Sequence, residues 1–461
     1  MEVLRQLIAQ GAMIERLSSD SRRCAPGVAF FAYPGERADG RAHIADAIAR
    51  GASAVVWEKN GFDWRSEWRV PNAPVADLKQ QAGGLADEFY GRPSASLWIC
   101  GVTGTNGKTS STQWLAALLG NCAVIGTLGA GFPGRLSGGL NTTPDALETQ
   151  FLLKQFKDEG AEALAMEVSS HGLVQGRVNG VRFDCALFTN LTHDHLDYHG
   201  SMAAYGEAKA RLFEMPGLET AVLNLDDPFG VELARRLQGR VRTIGYSLEP
   251  RAAPVDQQIV ADAQLSIPAL GRFNVSNALG VLGCLVANGI PVDEARKRLA
   301  GLPPVPGRMQ AVGQEPLVVI DYAHTPDALE NVLAALRPVA QQRGGLLALV
   351  FGAGGDRDAT KRPLMGAVAS RLADRVLVTS DNPRGEDPLA IIAQIAKGIA
   401  GEHEVEADRA RAIEQAVLKA SPRDVVLIAG KGHETYQEAA GRRAHFSDEE
   451  QARQALARRR A

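Results

Sequence analysis

The stretch Ile99-Cys-Gly-Val-Thr-Gly-Thr-Asn-Gly-Lys-Thr-Ser110 constrains this chain more than any other. Its apolar run ends at Val102, glycines stand at 101, 104 and 107, and Lys108-Thr109 leads into helical apolar spacing over 113–119. The order is strand, glycine loop, helix. Glycines let such a loop turn several backbone N–H groups onto one anion, and the helix N-terminus adds partial positive charge. Lys108 suits β- and γ-phosphate oxygens, and the Thr109 hydroxyl suits Mg²⁺. The general phosphate-loop pattern wants glycine where Val102 stands. A bland turn is the competing reading, but Gly-Lys-Thr between a strand and a helix favours ATP or GTP. The loop alone does not name a reaction.

A chain of 461 residues is too long for one core, so two or three domains of roughly 100–200 residues are expected. The net charge of -3, with 22% of residues charged, leaves no broad basic surface, so nucleic acid is not an expected partner. The five cysteines (24, 100, 122, 185 and 284) are odd in number and lack paired metal spacing, which suits reduced thiols. Residues 1–12 lack the basic start and apolar centre of an export signal, and no window reaches a spanning length. A cytoplasmic protein without membrane insertion is expected.

Residues 1–77 read as a small α/β unit, with strands at 28–33 and 52–57 around a helix at 42–50. Over 78–307 strands at 97–102, 122–127, 163–168, 183–189 and 220–224 alternate with helices such as 145–157 and 202–213. After 307 the strands 317–320, 346–351, 375–379 and 425–428 alternate with helices at 326–340 and 388–399. Such alternation predicts largely parallel sheets, whose ligands gather at the carboxyl ends of strands. Pro303-Pro-Val-Pro-Gly307 is stiff and helix-incompatible, a natural hinge.

Polar clusters fall at those strand ends. Glu167 could reach a cation held by Thr109. Asn190-Leu-Thr-His-Asp-His-Leu-Asp-Tyr-His199 holds three His and two Asp, well beyond an isolated structural histidine. Without cysteine partners, a carboxylate-rich site beside a phosphate loop favours Mg²⁺ over zinc. Phe351 to Asp358, Asp381-Asn-Pro-Arg384 and Ala429-Gly-Lys-Gly-His-Glu434 mark a second polar pocket. Arg384 and Glu434 could there read a ligand carrying both a carboxylate and an ammonium group.

Together with Gly271-Arg-Phe-Asn-Val-Ser-Asn277 and Asp321-Tyr-Ala-His-Thr-Pro-Asp327, these motifs resemble the Mur ligases, in order and over essentially the whole chain. The resemblance implies a three-domain α/β fold. A small N-terminal α/β domain binds the UDP substrate (1–77), a central P-loop-type, mostly parallel sheet ATPase domain follows (78–307), and a C-terminal Rossmann-like domain binds the amino acid (308–461). It implies an ATP-dependent ligase in peptidoglycan precursor synthesis, with ATP as co-substrate and Mg²⁺ as cofactor. The enzyme would phosphorylate the γ-carboxylate of the D-glutamate in UDP-MurNAc-L-Ala-D-Glu. The amine of meso-diaminopimelate would then attack the acyl phosphate. A monomer is expected.

By the same resemblance, Gly104, Thr105, Asn106, Gly107, Lys108, Thr109 and Ser110 cradle the triphosphate, with Asn277, Arg308 and Asp321 as further ATP contacts. Lys108, Glu167, His195 and Lys209 are the catalytic set. Thr109, Glu167, His195 and Lys209 as a carbamate are the metal ligands, although Lys209 by pattern alone is an ordinary exposed helix lysine. Ser19, Ser21, Glu36, Arg37 and Ala38 match uridine-side contacts, and Asn141, Thr142, Thr143, Ser169, Gln175 and Arg177 those nearer the peptide. Glu36 and Arg37 are of other types than familiar members carry. Arg357, Asp381, Asn382, Pro383, Arg384, Gly385, Gly430 and Glu434 match the diaminopimelate site. The alternatives are a folylpolyglutamate synthase and a lysine-adding Mur ligase. Asp381 to Arg384 and the Ser19 to Arg22 first domain argue against the synthase, and Arg384 argues against the lysine-adding enzyme, because diaminopimelate differs from lysine by one distal carboxylate that an arginine fork can clamp.

Overall fold

The computed structural model of the protein describes residues 2–36, 38–138, 141–262 and 265–460. Three sheets follow one another along the chain. The first is a four-stranded parallel sheet of Arg16–Ser18, Val28–Ala32, Ala54–Glu58 and Asn72–Val75. The helix Leu78–Phe89 belongs to the same core, burying Leu78, Ala82 and Ala86 beside Leu17, Phe31 and Val56.

The central sheet has nine strands, in the spatial order Gln257–Val260, Arg242–Ser247, Thr220–Asn224, Cys185–Phe188, Trp98–Thr103, Ala163–Glu167, Cys122–Gly126, Gly129–Phe132 and Arg135–Ser137. Gly129–Phe132 runs antiparallel to both Cys122–Gly126 and Arg135–Ser137, and the other pairings are parallel. Inner strands such as Cys122–Gly126 and Ala163–Glu167 are buried at every residue. That is why they read as unbroken apolar runs rather than alternating ones. The helix Arg272–Ala287 is buried at ten positions from Asn274 to Leu285. Enclosed almost all round, it carries no amphipathic stripe that pattern reading could detect.

The third sheet orders Gln310–Gln314, Leu317–Asp321, Val425–Ala429, Leu347–Phe351, Arg375–Val378 and Glu404–Val405, antiparallel only at the first pair. A hairpin of Tyr436–Ala439 and Arg442–His445 follows the last long strand. No helix of the described residues is long and apolar enough to cross a membrane. All five cysteines are free and buried. Their sequence spacing hides one grouping: Cys100 and Cys185 are cross-strand neighbours, Cys284 comes from the covering helix, and the three sulfurs lie within 4.8 Å of one another. The layer around them is apolar, so they serve as small core side chains.

Candidate active site

The nucleotide loop leaves the strand Trp98–Thr103 and enters the helix Lys108–Leu119. On either side of that strand lie Ala163–Glu167 and Cys185–Phe188, so Glu167 and Asn190 flank the loop at the same sheet edge. Gly104 has φ 152 and Gly107 φ 85. A Cβ on Gly104 would meet Thr189 Oγ1 at 1.8 Å, and one on Gly107 would meet Asn277 Oδ1 at 2.3 Å. Asn190 braces the loop, its Oδ1 accepting from Asn106 N at 2.9 Å and its carbonyl from Thr105 N at 2.8 Å. Lys108 arches back, Nζ donating to the carbonyls of Gly104 at 2.8 Å and Thr105 at 2.9 Å. Burial lowers its pKa, opposed by Glu167 and Asp194.

A cavity of about 780 Å³ opens over this edge. Its lining brings together Thr105 to Ser110, Glu167, His195, Asn277, Arg308 and Asp321 with Arg357, Asp381, Asn382, Arg384, Gly430 and Glu434 of the third sheet's end. Gly104, Pro383 and Gly385 are not among the lining residues, nor is Lys209. Arg308 bridges the two sheets, Nη2 donating to Thr109 Oγ1 at 3.0 Å while its guanidinium lies 4.3 Å from the Tyr322 ring centre. Asp321 accepts from Met309 N at 2.7 Å and Ala323 N at 2.8 Å, which fixes it as the organiser of its own loop.

Glu167 is 1% exposed. Its Oε1 accepts from Thr127 N at 2.8 Å and its Oε2 from the Thr127 hydroxyl at 3.0 Å. His195 sits at φ 55 with Nε2 3.4 Å from Asp194. Burial pushes its pKa down to about 3 against the pull of Asp194, so the imidazole is neutral and offers a lone pair. Lys209 is not the exposed helix lysine that its pattern suggests. It is 1% exposed, with Nζ 4.2 Å from the Tyr205 ring centre. Burial, reinforced by the charge of Lys108, drives its pKa well below the usual lysine range.

At the other end, Arg384 has φ 52 and is pinned by its backbone, N donating to Glu438 O at 2.9 Å and O accepting from Ala440 N at 2.7 Å. Its Nη1 donates to Gly355 O at 2.7 Å, and the side chain lines the cavity. Asn382 Nδ2 donates to Glu434 Oε2 at 2.7 Å. Arg357 Nη1 donates to Asp356 O at 3.0 Å, and Gly385 N to Asp356 Oδ2 at 3.0 Å.

Of the uridine- and peptide-side residues, Thr142 and Ser169 reach the cavity. Others form a chain of hydrogen bonds beside it: Arg177 donates to Thr143 O at 2.8 Å and Gln175 Oε1 at 2.8 Å, and Gln175 donates to Glu36 Oε2 at 2.7 Å. Tyr198 also donates to Glu36. Thr143 is fully buried, its hydroxyl on the Glu167 carbonyl at 3.0 Å. Ser21 is buried in the turn Ser21–Arg23, Ser19 lies beside Tyr33, Ala38 O accepts from Gly35 N at 2.8 Å, and Asn141 is exposed. Arg37 lies outside the described residues.

Sequence reasoning missed one pair that joins the second and third sheets at the cavity. Lys361 Nζ stands 3.4 Å from Asp194 Oδ1, both nearly buried. Burial works against the Asp194 charge, but Lys361 and His195 hold the carboxyl well below its usual range. Asp194 lies within the His-rich run, while Lys361 reads as an ordinary helix-start lysine.

The Mur ligase middle domain matches residues 102–285, the glutamate ligase domain of Mur ligases 307–432, and the family's catalytic domain 13–90. The chain is 51% identical to the UDP-N-acetylmuramoyl-L-alanyl-D-glutamate--2,6-diaminopimelate ligase of Pseudomonas aeruginosa, covering 98% of each chain. It is 49% identical to the enzyme of the same name from Janthinobacterium sp., covering 97% of this chain and 95% of the other. A solved structure of a ligase of that name is 36% identical, with TM-score 0.64 over 97% of this chain and 96% of the other. MurF from Acinetobacter baumannii, at 19% identity and TM-score 0.66 over 90% of each chain, shares the fold. From the three domain matches and the near-complete coverage at about half identity, the chain belongs to the Mur ligase family.

Proposed function

We infer that this chain is an ATP-dependent ligase that joins meso-2,6-diaminopimelate to the D-glutamate of UDP-MurNAc-L-Ala-D-Glu in peptidoglycan precursor synthesis. One observation carries the reading. The nucleotide loop and the Asn382, Arg384 and Glu434 group face the same cavity, so an activated carboxylate and an incoming diamino acid can meet there. Relatives at 49–51% identity carry the corresponding name.

In the first step a γ-carboxylate oxygen attacks the γ-phosphorus of ATP, and the bond to the β-phosphate oxygen breaks to release ADP. In the second the amine attacks the acyl carbon, loses a proton, and the tetrahedral intermediate expels phosphate. Loop N–H groups and Lys108 stabilise charge on the transferring phosphoryl group. Asn277 and Arg308 hold the nucleotide from the far side, and Asp321 orders the loop that carries Arg308 to it. Thr142 and Ser169 meet the peptide end, while Thr143, Gln175, Arg177 and Glu36 shape the wall behind it. Arg384 and Arg357 receive the distal carboxylate, and Glu434 the distal ammonium.

The donors suit Mg²⁺: the Thr109 hydroxyl, the buried Glu167 carboxylate and the neutral His195 imidazole, with Lys209 as a carbamate. A neutral buried amine is the form that can add CO₂ and become an anionic ligand. When bound there, the metal supplies positive charge to the phosphate oxygens. We also propose the division 1–77, 78–307 and 308–461, with the helix Leu78–Phe89 packed on the first domain as its seam. A cytoplasmic monomer acting on small molecules completes the reading.

The test is phosphate release with ATP, Mg²⁺, the UDP-linked dipeptide and a panel of amino acids. Turnover with meso-diaminopimelate well above lysine is expected. No new amide, or equal use of lysine, would overturn the assignment.

A further inference from the structure

The motif Ala429-Gly-Lys-Gly-His-Glu434 contributes Gly430 and Glu434 to the cavity, but Lys431, between them, is not among its lining residues. Gly430 at φ 117 and Gly432 at φ 55 turn the chain so that the Lys431 side chain points inward, where it is 0% exposed. A buried ammonium is costly unless its donors are met. Here Nζ donates to Asn382 Oδ1 at 3.0 Å and to Glu434 Oε2 at 2.9 Å.

Both partners face the cavity, and each is fixed by the contact. Asn382 Oδ1 also accepts from Glu438 N at 2.9 Å, so two donors converge on it and set which end of the amide is oxygen. The amide nitrogen is thereby aimed at Glu434 Oε2, to which it donates at 2.7 Å. Glu434 Oε2 thus receives two donors, while Oε1 has no hydrogen bond among the described residues and remains for a ligand.

We propose that Lys431 is a positioning residue for amino-acid selection: without touching substrate, it locks the Asn382 amide and one Glu434 oxygen so that the other meets the distal ammonium of the diamino acid. This rests on the reading of Glu434 given under Proposed function.

The test compares wild-type and Lys431→Met enzymes with two amines, meso-diaminopimelate and 2-aminopimelate, which keeps the distal carboxylate but lacks the distal ammonium. The expected result is a fall of ~10-fold or more in kcat/KM for diaminopimelate, carried mainly by its KM, with the 2-aminopimelate value and the ATP KM changed by less than about threefold. A merely structural role would lower both amines in proportion, and that result, or no change with either, overturns the proposal. Should Lys431→Met not fold, Lys431→Gln, which keeps an N–H donor, is measured in its place. Loss of fold in both assigns Lys431 to stability and also overturns it. If wild-type enzyme fails to ligate diaminopimelate at all, it is the functional reading that falls.

Discussion

Arg384→Ala is the sharpest perturbation of amino-acid choice. The φ of 52 at this position is no confounder, because alanine and arginine both carry a Cβ and bear the same left-handed strain. The backbone bonds to Glu438 and Ala440 involve main-chain atoms alone and survive the change. What is lost within the protein is one Nη1 bond to the Gly355 carbonyl at 2.7 Å. What is lost to the ligand is the remainder of the fork toward a carboxylate. A charge-assisted pair is worth about 1.5–3 kcal/mol, so kcat/KM for meso-diaminopimelate should drop roughly 10- to 150-fold. The value for lysine, which has no distal carboxylate, should move much less. Phosphate release under limiting amino acid reads both values from one preparation, and thermal unfolding checks that the variant is folded. An unchanged diaminopimelate value, or an equal loss for lysine, would refute the clamp.

Other perturbations test separate links. Lys209→Ala should be nearly inactive and partly rescued by short carboxylates added to the assay; full activity without them would refute the carbamate role. Gly107→Ala places a Cβ 2.3 Å from Asn277 Oδ1 at φ 85, so it should cost ~1–3 kcal/mol, seen as a raised ATP KM with the other substrates little affected. His433 is held at a pKa of about 3 by burial, with Arg308 and Lys431 adding to it. The folded state therefore keeps it neutral while the unfolded chain protonates near 6.5, so this stability is intact above about pH 6.5 and is lost as pH falls toward 3. By pH 5 the loss reaches up to about 2 kcal/mol, and His433→Gln should flatten that part of the curve of Tm against pH. An identical curve would discard the assignment.

The legible parts of this molecule are those that local chemistry dictates. Glycines at 104 and 107 were readable because only a residue without a Cβ fits against Thr189 and Asn277. The inner strands were readable because burial on both faces demands unbroken apolar runs. The same enclosure hid the helix Arg272–Ala287, which presents Asn277 to the loop yet shows no polar face. Lys209 exposes a deeper limit. Its helix has ordinary composition, with Tyr205 one turn back on it, and only tertiary burial, reinforced by the charge of Lys108, drives the pKa of that amine well below the usual lysine range. Pairs across domains are harder still, because Asp194 and Lys361 lie 167 residues apart and neither has a local reason to be charged and buried. Each acquires its role only when the third sheet closes over the second. Domain approach thus supplies the seam between the two halves of the site, whereas the phosphate loop and the Asn382, Arg384 and Glu434 group each lie within one domain and are written in short motifs.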